Sequence, residues 1–127
     1  MPTSTLPRST FSPLNIMVDN ITIDLNDHRV KNARIFTTRP RGEKVRVDSR
    51  IDEREKEAQH ITISIPADTI TVNPSFLEEF LRKVVLKLGA DGFRKKFTFV
   101  KKGPFDVEEN LQLAIEHILR NTNALVR

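Results

Sequence analysis

The stretch ITVNPSFLEEFLRKVVLKLG, residues 70–89, contains a β-branched run, an Asn-Pro-Ser corner and a long apolar stripe. Residues 70–72 favour a strand, because β-branched side chains pack well on a pleated sheet. The stripe has the spacing of a helix with one broad buried face. Its members are Phe76, Leu77, Phe80, Leu81, Val84, Val85 and Leu88. Gly89 is typical of a helix end, so the stretch predicts a strand that leads directly into the most buried helix of the molecule.

Length and composition predict one modest domain. The chain has 127 residues, of which 38% are hydrophobic and 30% charged, and a net charge of +4. It contains no cysteine, which excludes disulfides and thiolate metal sites and favours a reducing compartment. No apolar run reaches the length of a membrane span, and the first residues lack the apolar segment of a signal peptide. We therefore expect a cytoplasmic protein without a membrane segment, with a flexible tail over residues 1–14 and a single domain over 15–127.

The first half of the domain predicts short elements. Residues 15–25 alternate apolar and polar side chains and indicate two short strands or a hairpin. Residues 33–37 indicate another strand, and TRPRG, residues 38–42, indicates a turn because it contains Pro and Gly. Residues 43–59 are densely charged and predict a weakly amphipathic helix on the outside of a sheet.

The second half predicts an alternation of strands and helices. Residues 60–65 read as a strand that residues 69–72 extend after a break, and residues 97–100 read as a further strand. Asp106 and Glu109 have the spacing of a capping box before a last helix. Such alternation predicts parallel pairing through right-handed crossovers. The expected fold class is α/β, a mixed sheet of about four to five strands with helices packed on it and parallel pairing in its C-terminal part.

Three sequence motifs follow one another along the chain. They are RPRGEKVR at residues 39–46, PSFLEEFLRKVVLKLG at residues 74–89 and FRKKFTFV at residues 93–100. Over residues 33–120 the chain resembles the STAS-like domain family, small bacterial proteins related to anti-sigma factor antagonists. The resemblance implies a non-enzymatic module for protein-protein interaction in a partner-switching circuit, often beside an ATP-binding kinase-like protein.

The resemblance also implies a site. In the anti-sigma factor antagonists, a Ser at the start of the helix after a central strand is phosphorylated by the kinase-like partner, and phosphorylation ends the complex. Ser75 is the only position that matches this Ser, which makes it the candidate phosphoacceptor. The antagonists carry an acidic residue two positions earlier, where this chain has Asn73.

Two registers are open for the start of this helix. If Ser75 is the cap, Glu78 falls at the third helical position and completes a capping box that occupies the hydroxyl. If Asn73 is the cap, Pro74 is the first helical residue and Ser75 has a free hydroxyl at the second position. We favour the second register, because it suits both Asn and Pro. The candidate partner-binding residues are Asn73, Pro74, Ser75, Glu78 and Glu79.

Other chemistry is weakly supported by the sequence. The three histidines lack metal-ligand spacing, and neither a nucleophile elbow nor a Gly-rich loop is present, so we expect no metal, cofactor or enzymatic activity. An alternative function is a nucleic-acid-binding or complex-inhibiting protein that uses the basic surface around residues 94–102. We expect Phe97 and Phe99 to lie in the core and not to stack on bases. The candidate basic residues are Arg39, Arg41, Lys44, Arg94, Lys95, Lys96, Lys101 and Lys102.

Overall fold

A computed structural model describes residues 17–126 of the protein, and their side chains from residue 17 to residue 120. The predicted tail over residues 1–14 lies outside the described residues, as do residues 15 and 16 of the first predicted strand. The described part contains five strands and four α-helices. In chain order they are β1 (Val18–Asp24), β2 (Ile35–Phe36), α1 (Arg39–Ser49), α2 (Ile51–Glu57), β3 (Ala58–Ile65), β4 (Thr71–Val72), α3 (Pro74–Lys96), β5 (Phe97–Lys101) and α4 (Glu108–Val126).

The strands form two separate parallel sheets. The larger sheet has the order β1-β3-β5, and the smaller one pairs β2 with β4. The α/β class and the parallel pairing are confirmed, but the main sheet has three strands and no antiparallel pair is found among the described residues. Residues 69–72 do not extend β3, because a turn with Thr69 N bonded to Pro66 O at 3.2 Å redirects the chain. Ile70 N then bonds Arg34 O at 2.7 Å, which places β4 beside β2.

The two short strands or hairpin predicted over residues 15–25 are not found: residues 18–24 form one strand, β1, parallel to β3. Asn20, which suggested a turn, lies inside this strand, where its side chain accepts a hydrogen bond from Thr62 Oγ1 at 3.0 Å. It also donates to Thr22 Oγ1 at 3.3 Å. A short 3-10 helix, Leu25–His28, follows β1.

The predicted turn at residues 38–42 is also wrong, because these residues begin α1. Thr38 caps the helix by accepting a hydrogen bond from Arg41 N at 3.3 Å, and Pro40 occupies an early helical position, where its missing N–H is no loss. The single helix predicted over residues 43–59 is interrupted at Arg50, whose φ of 57° separates α1 from α2. The last two residues of the predicted helix, Ala58 and Gln59, belong to β3.

Helix α3 confirms the apolar stripe, since six of its seven predicted members are buried and Leu88 packs partly buried against them. The regular helix ends at Gly89, as predicted: this residue has the non-helical angles φ 76° and ψ 172°, and a second helical segment follows the kink to Lys96. The predicted capping box of α4 is not formed: the first helical bond runs from Leu111 N to Val107 O at 2.8 Å, so Asp106 lies one residue before the cap, where its Oδ1 accepts from Glu108 N at 2.9 Å.

Among residues 17–120, the main sheet is covered by helices on one face only. The connection from β1 to β3 and the connection from β3 to β5 each advance by one strand in the same direction across the sheet. Because such parallel connections are right-handed, their helices lie on the same face of the sheet. The covered face contributes Ile61, Ile63 and Phe97 to the core, where α3 packs on it. The other face carries polar side chains such as Thr22, Thr62 and Thr98, which are aligned in register.

Candidate functional site

The two helices α1 and α3 begin beside each other because the strands before them are paired in parallel. Ile35 aligns with Thr71 and Phe36 with Val72, and each strand leads into its helix within a few residues. Asn73 N donates to Phe36 O at 2.8 Å, which extends this pairing to the helix starts. We name residues 37–39 together with residues 73–79 the helix-start corner. It contains every candidate partner-binding residue predicted from the sequence.

Asn73 is the cap residue of α3, as the favoured register predicted. Its backbone is extended, with φ −73° and ψ 151°, and its carbonyl accepts the first helical bond from Leu77 N at 3.1 Å. Its side chain makes no capping bond and instead donates to Thr37 Oγ1 at 2.7 Å. Asn73 therefore ties the start of α3 to the segment that enters α1.

Pro74 is the first residue of α3 and Ser75 the second. Ser75 is half-buried, and its hydroxyl makes no hydrogen bond to any described residue. The alternative capping box between Ser75 and Glu78 is not formed, because the Glu78 carboxylate is directed to other partners. The corner therefore holds its shape without using the Ser75 hydroxyl.

Glu78 is a buried carboxylate that joins three helices. It is only 2% exposed. Its Oε1 lies 2.9 Å from Arg39 Nη1 of α1, and its Oε2 lies 2.8 Å from His117 Nδ1 of α4. The hydrogen bond and the charge of Glu78 raise the pKa of Arg39. Removing a partner from a buried ion is costly, so this joint fixes α1 and α4 against the first turns of α3.

Glu79, the next residue, is half-buried among three arginines. Its Oε2 lies 2.6 Å from Arg82 Nη2 and 3.5 Å from Arg39 Nη1. Arg46 Nη1 donates to Glu79 O at 2.9 Å. Burial alone would raise the pKa of Glu79, but the Arg82 hydrogen bond and the charges of Arg82, Arg39 and Arg46 outweigh it and hold the pKa below its ordinary value.

The basic candidates do not form one free surface. Arg94 lies 2.7 Å from Glu108, Lys96 lies 3.0 Å from Glu55, and Lys102 lies 3.5 Å from Asp24. Lys101 lies 3.9 Å from Asp106, and Lys44 lies 3.2 Å from Asp48. Lys95 and Arg41 make no ion pair among the described residues.

The aromatic residues of β5 do not provide a stacking surface for bases. Phe97 is buried and stacks on Phe93, with ring centroids 4.7 Å apart. Phe99 is half-buried and packs against the core. The prediction that Phe97 and Phe99 lie in the core is confirmed.

Sequence reasoning missed two buried polar joints. The buried carboxylate of Glu78 bonds His117, and Glu55 is a buried carboxylate held by Lys87 at 2.7 Å and Lys96 at 3.0 Å. No local signal marks either joint, because the partners come from distant helices. Among residues 17–126, no group of three His, Cys, Asp or Glu side chains could hold a metal ion.

One small hollow lies beside the helix-start corner. The hollow holds about 30 Å³, little more than a water molecule requires. Arg41, Val45 and Phe76 are among its lining residues.

Comparisons with known proteins give no relative. No family model matches the chain. No curated protein gives a significant match. No solved structure does so either. Membership of the STAS-like family therefore stays a prediction. Within the part of the chain that the structure describes, none of the helices has the length and apolar character needed to cross a bilayer.

Proposed function

We propose that the protein is a non-catalytic interaction module of a cytoplasmic partner-switching circuit, and that phosphorylation of Ser75 controls its binding to a protein partner. The observation that carries the proposal is the hydroxyl of Ser75, which has no hydrogen-bond partner among the described residues. Asn73 forms the cap of α3 without it. A residue whose side chain the fold does not use can be modified without loss of the fold.

The position of Ser75 is compatible with a phosphate. At the second position of α3 it lies among backbone amides that have no partner within the helix, at the positive end of the helix dipole. A phosphate there adds nearly two negative charges. The local fold tolerates this charge, whereas a partner fitted to the neutral corner is repelled.

The partner that this proposal requires is an ATP-binding kinase-like or anti-sigma-type protein. The Ser75 oxygen attacks the γ-phosphorus of ATP bound by that partner, the bond to ADP breaks, and the hydroxyl proton passes to a base of the partner. The contact surface consists of Pro74, Ser75 and Glu79 together with the exposed first residues of α1. Asn73 and the buried Glu78 support this surface from below.

The ion pairs of the basic residues favour this function over nucleic-acid binding. A nucleic-acid surface requires free cations along a groove, but Arg94, Lys96 and Lys102 each have a carboxylate partner. If the alternative function were correct, the protein would bind DNA or RNA at low salt. That binding would fall steeply with rising salt and on Lys95→Ala or Lys101→Ala.

The proposal is tested by comparing matched baits in affinity capture from the native host. Ser75→Ala should retain the partner, and Ser75→Asp should hold it about tenfold less tightly or worse, because the added charge faces the contact. Gln59→Glu adds the same charge at an exposed position of β3 and should bind as the wild type does. A partner that binds the wild type and Ser75→Asp equally well would contradict the switch.

A further inference from the structure

Helix α1 passes directly over the first turn of α3. A Cβ atom added at Gly42 would lie only 2.3 Å from Phe76 O and 3.1 Å from Glu79 Cβ. Phe76 follows Ser75 in the chain, and Arg39 lies one turn before Gly42 on α1. The first turn of α1 is therefore next to the turn of α3 that contains Ser75.

Arg39 contacts two carboxylates on this same strip of α3. Its Nη1 lies 2.9 Å from Glu78 and 3.5 Å from Glu79, three and four residues after Ser75. Side chains at these spacings are neighbours on a helix surface. The guanidinium is thus bound by the two side chains that lie one helical turn after Ser75.

The contacts of Arg39 leave it free to take another partner. The shortest contact to each carboxylate is made by Nη1, and neither Nε nor Nη2 donates a hydrogen bond to a described residue. The side chain is 51% exposed, so it can reorient without disturbing the packing of the core. A phosphate offers three acceptor oxygens and favours the planar two-pronged contact of a guanidinium.

Glu78 depends on Arg39 for its charge balance. Its two partners are Arg39 and His117, and Arg39 is the one that is always charged. If Arg39 turned away, the buried carboxylate would keep only the bond to His117 on α4. The contact between α4 and the helix-start corner would then be destabilised, because it would contain a buried charge without a fully charged partner.

We infer that a phosphate on Ser75 competes with Glu78 for Arg39, so that Arg39 senses the modification and Glu78 transmits it to α4 through His117. The inference rests on the proposed function, because it takes phosphorylation of Ser75 as given. It extends the effect of the phosphate from the corner to a second helix. Arg39 acts here as a positioning residue for the phosphate.

The test installs phosphoserine at position 75 during protein synthesis and follows its titration by ³¹P NMR. In the folded protein the second pKa of the phosphate should lie about one unit below that of a free peptide of residues 70–80. Arg39→Gln should abolish most of this shift, and Arg39→Lys should keep part of it. Lys44→Gln removes a positive charge elsewhere on α1 and should leave the shift intact. Equal titration in the wild type and Arg39→Gln would overturn the inference.

Hydrogen exchange tests the transmission to α4. The phosphate should increase the exchange of α4 amides severalfold in the wild type. It should have no such effect in Glu78→Gln, which removes the competing charge and should also lower the phosphate pKa further. Unchanged exchange in the phosphorylated wild type would contradict the transmission step. Because no kinase is needed here, failure of these tests is distinguishable from failure of the proposed function, which would appear as absent labelling or partner control.

Discussion

At the residue scale, Glu78 obtains its role from partners that are distant in sequence. The local pattern around Asn73, Pro74 and Ser75 predicted two alternative caps, and the structure selects the one with Asn73. The same pattern could not predict that Glu78 is buried, because Arg39 and His117 reach it from other helices. A spacing rule describes neighbours on one helix and contains no information about a helix crossing.

The contacts of Glu78 predict that replacing Arg39 of α1 destabilises the protein more than replacing Lys44 of the same helix. Arg39→Ala leaves a buried carboxylate without its charged partner, so we expect the free energy of unfolding to fall by about 1–3 kcal/mol. Lys44→Ala breaks only an exposed pair with Asp48 and should cost less than about 0.5 kcal/mol. Urea denaturation measures both values. A cost for Arg39→Ala no larger than that for Lys44→Ala would contradict the joint.

Glu55 predicts an acid dependence of stability. Burial alone would raise its pKa, but the hydrogen bonds and charges of Lys87 and Lys96 outweigh burial and lower the pKa. The folded protein therefore binds this proton less readily than the unfolded chain does. The stabilisation is fully present above the unfolded pKa of about 4.3 and is lost as the pH falls through the lowered pKa.

The measurement is urea denaturation of the wild type and Glu55→Gln between about pH 7 and pH 3. The wild type should be more stable at neutral pH, and its advantage should shrink as the pH falls. Glu57→Gln alters an exposed residue of the same helix and should follow the wild-type pH dependence. A stability advantage that stays constant over the whole pH range would contradict the pairing of an ionised Glu55 with Lys87 and Lys96.

At the element scale, the long periodic segments were predicted well and the short ones were not. The apolar stripe of α3 and the strands β3 and β5 follow from local pattern. The start of α1 was mistaken for a turn because Pro40 and Gly42 usually mark turns. Here Pro40 fits an early helical position, and Gly42 is required by the close approach to Phe76. Packing between helices, which the local sequence does not contain, decided this segment.

The kink of α3 predicts that Gly89 cannot be replaced freely. Its φ of 76° and ψ of 172° lie in a region that only glycine adopts readily. A Cβ atom there would meet nothing within 4 Å, so the cost of Gly89→Ala is backbone strain alone. We expect a loss of about 1–3 kcal/mol in the free energy of unfolding.

Gly92→Ala is the matched control, since Gly92 lies three residues later in the helical part of α3. Its added Cβ would lie 3.2 Å from Leu88 Cβ, a contact that the better helix propensity of Ala offsets. Thermal denaturation should therefore show a clear drop in Tm for Gly89→Ala and little change for Gly92→Ala. Equal drops would mean that the kink is not held by Gly89.

At the scale of the whole molecule, the alternation of strands and helices predicted an α/β fold with parallel pairing in its C-terminal part, and this is confirmed, whereas the single mixed sheet of about four to five strands is replaced by a three-stranded and a two-stranded parallel sheet. The division into two sheets could not be predicted, because β2 and β4 have two residues each and their partners are set by backbone bonds such as Ile70 N to Arg34 O. Parallel sheets are usually covered on both faces. Here the alternation of polar residues in β1 and β3 allows one face to carry Asn20, Thr22 and Thr62.

This architecture places the two helix starts at the end of the small sheet, where a partner can reach Ser75. The central claim is that Ser75 is the point of control, and phosphorylation tests it most directly. The full chain should be incubated with ATP and extract of the native host, and its intact mass measured by mass spectrometry. The wild type should gain a single phosphate, and Ser75→Ala should gain none. Equal phosphate uptake by Ser75→Ala would contradict the account.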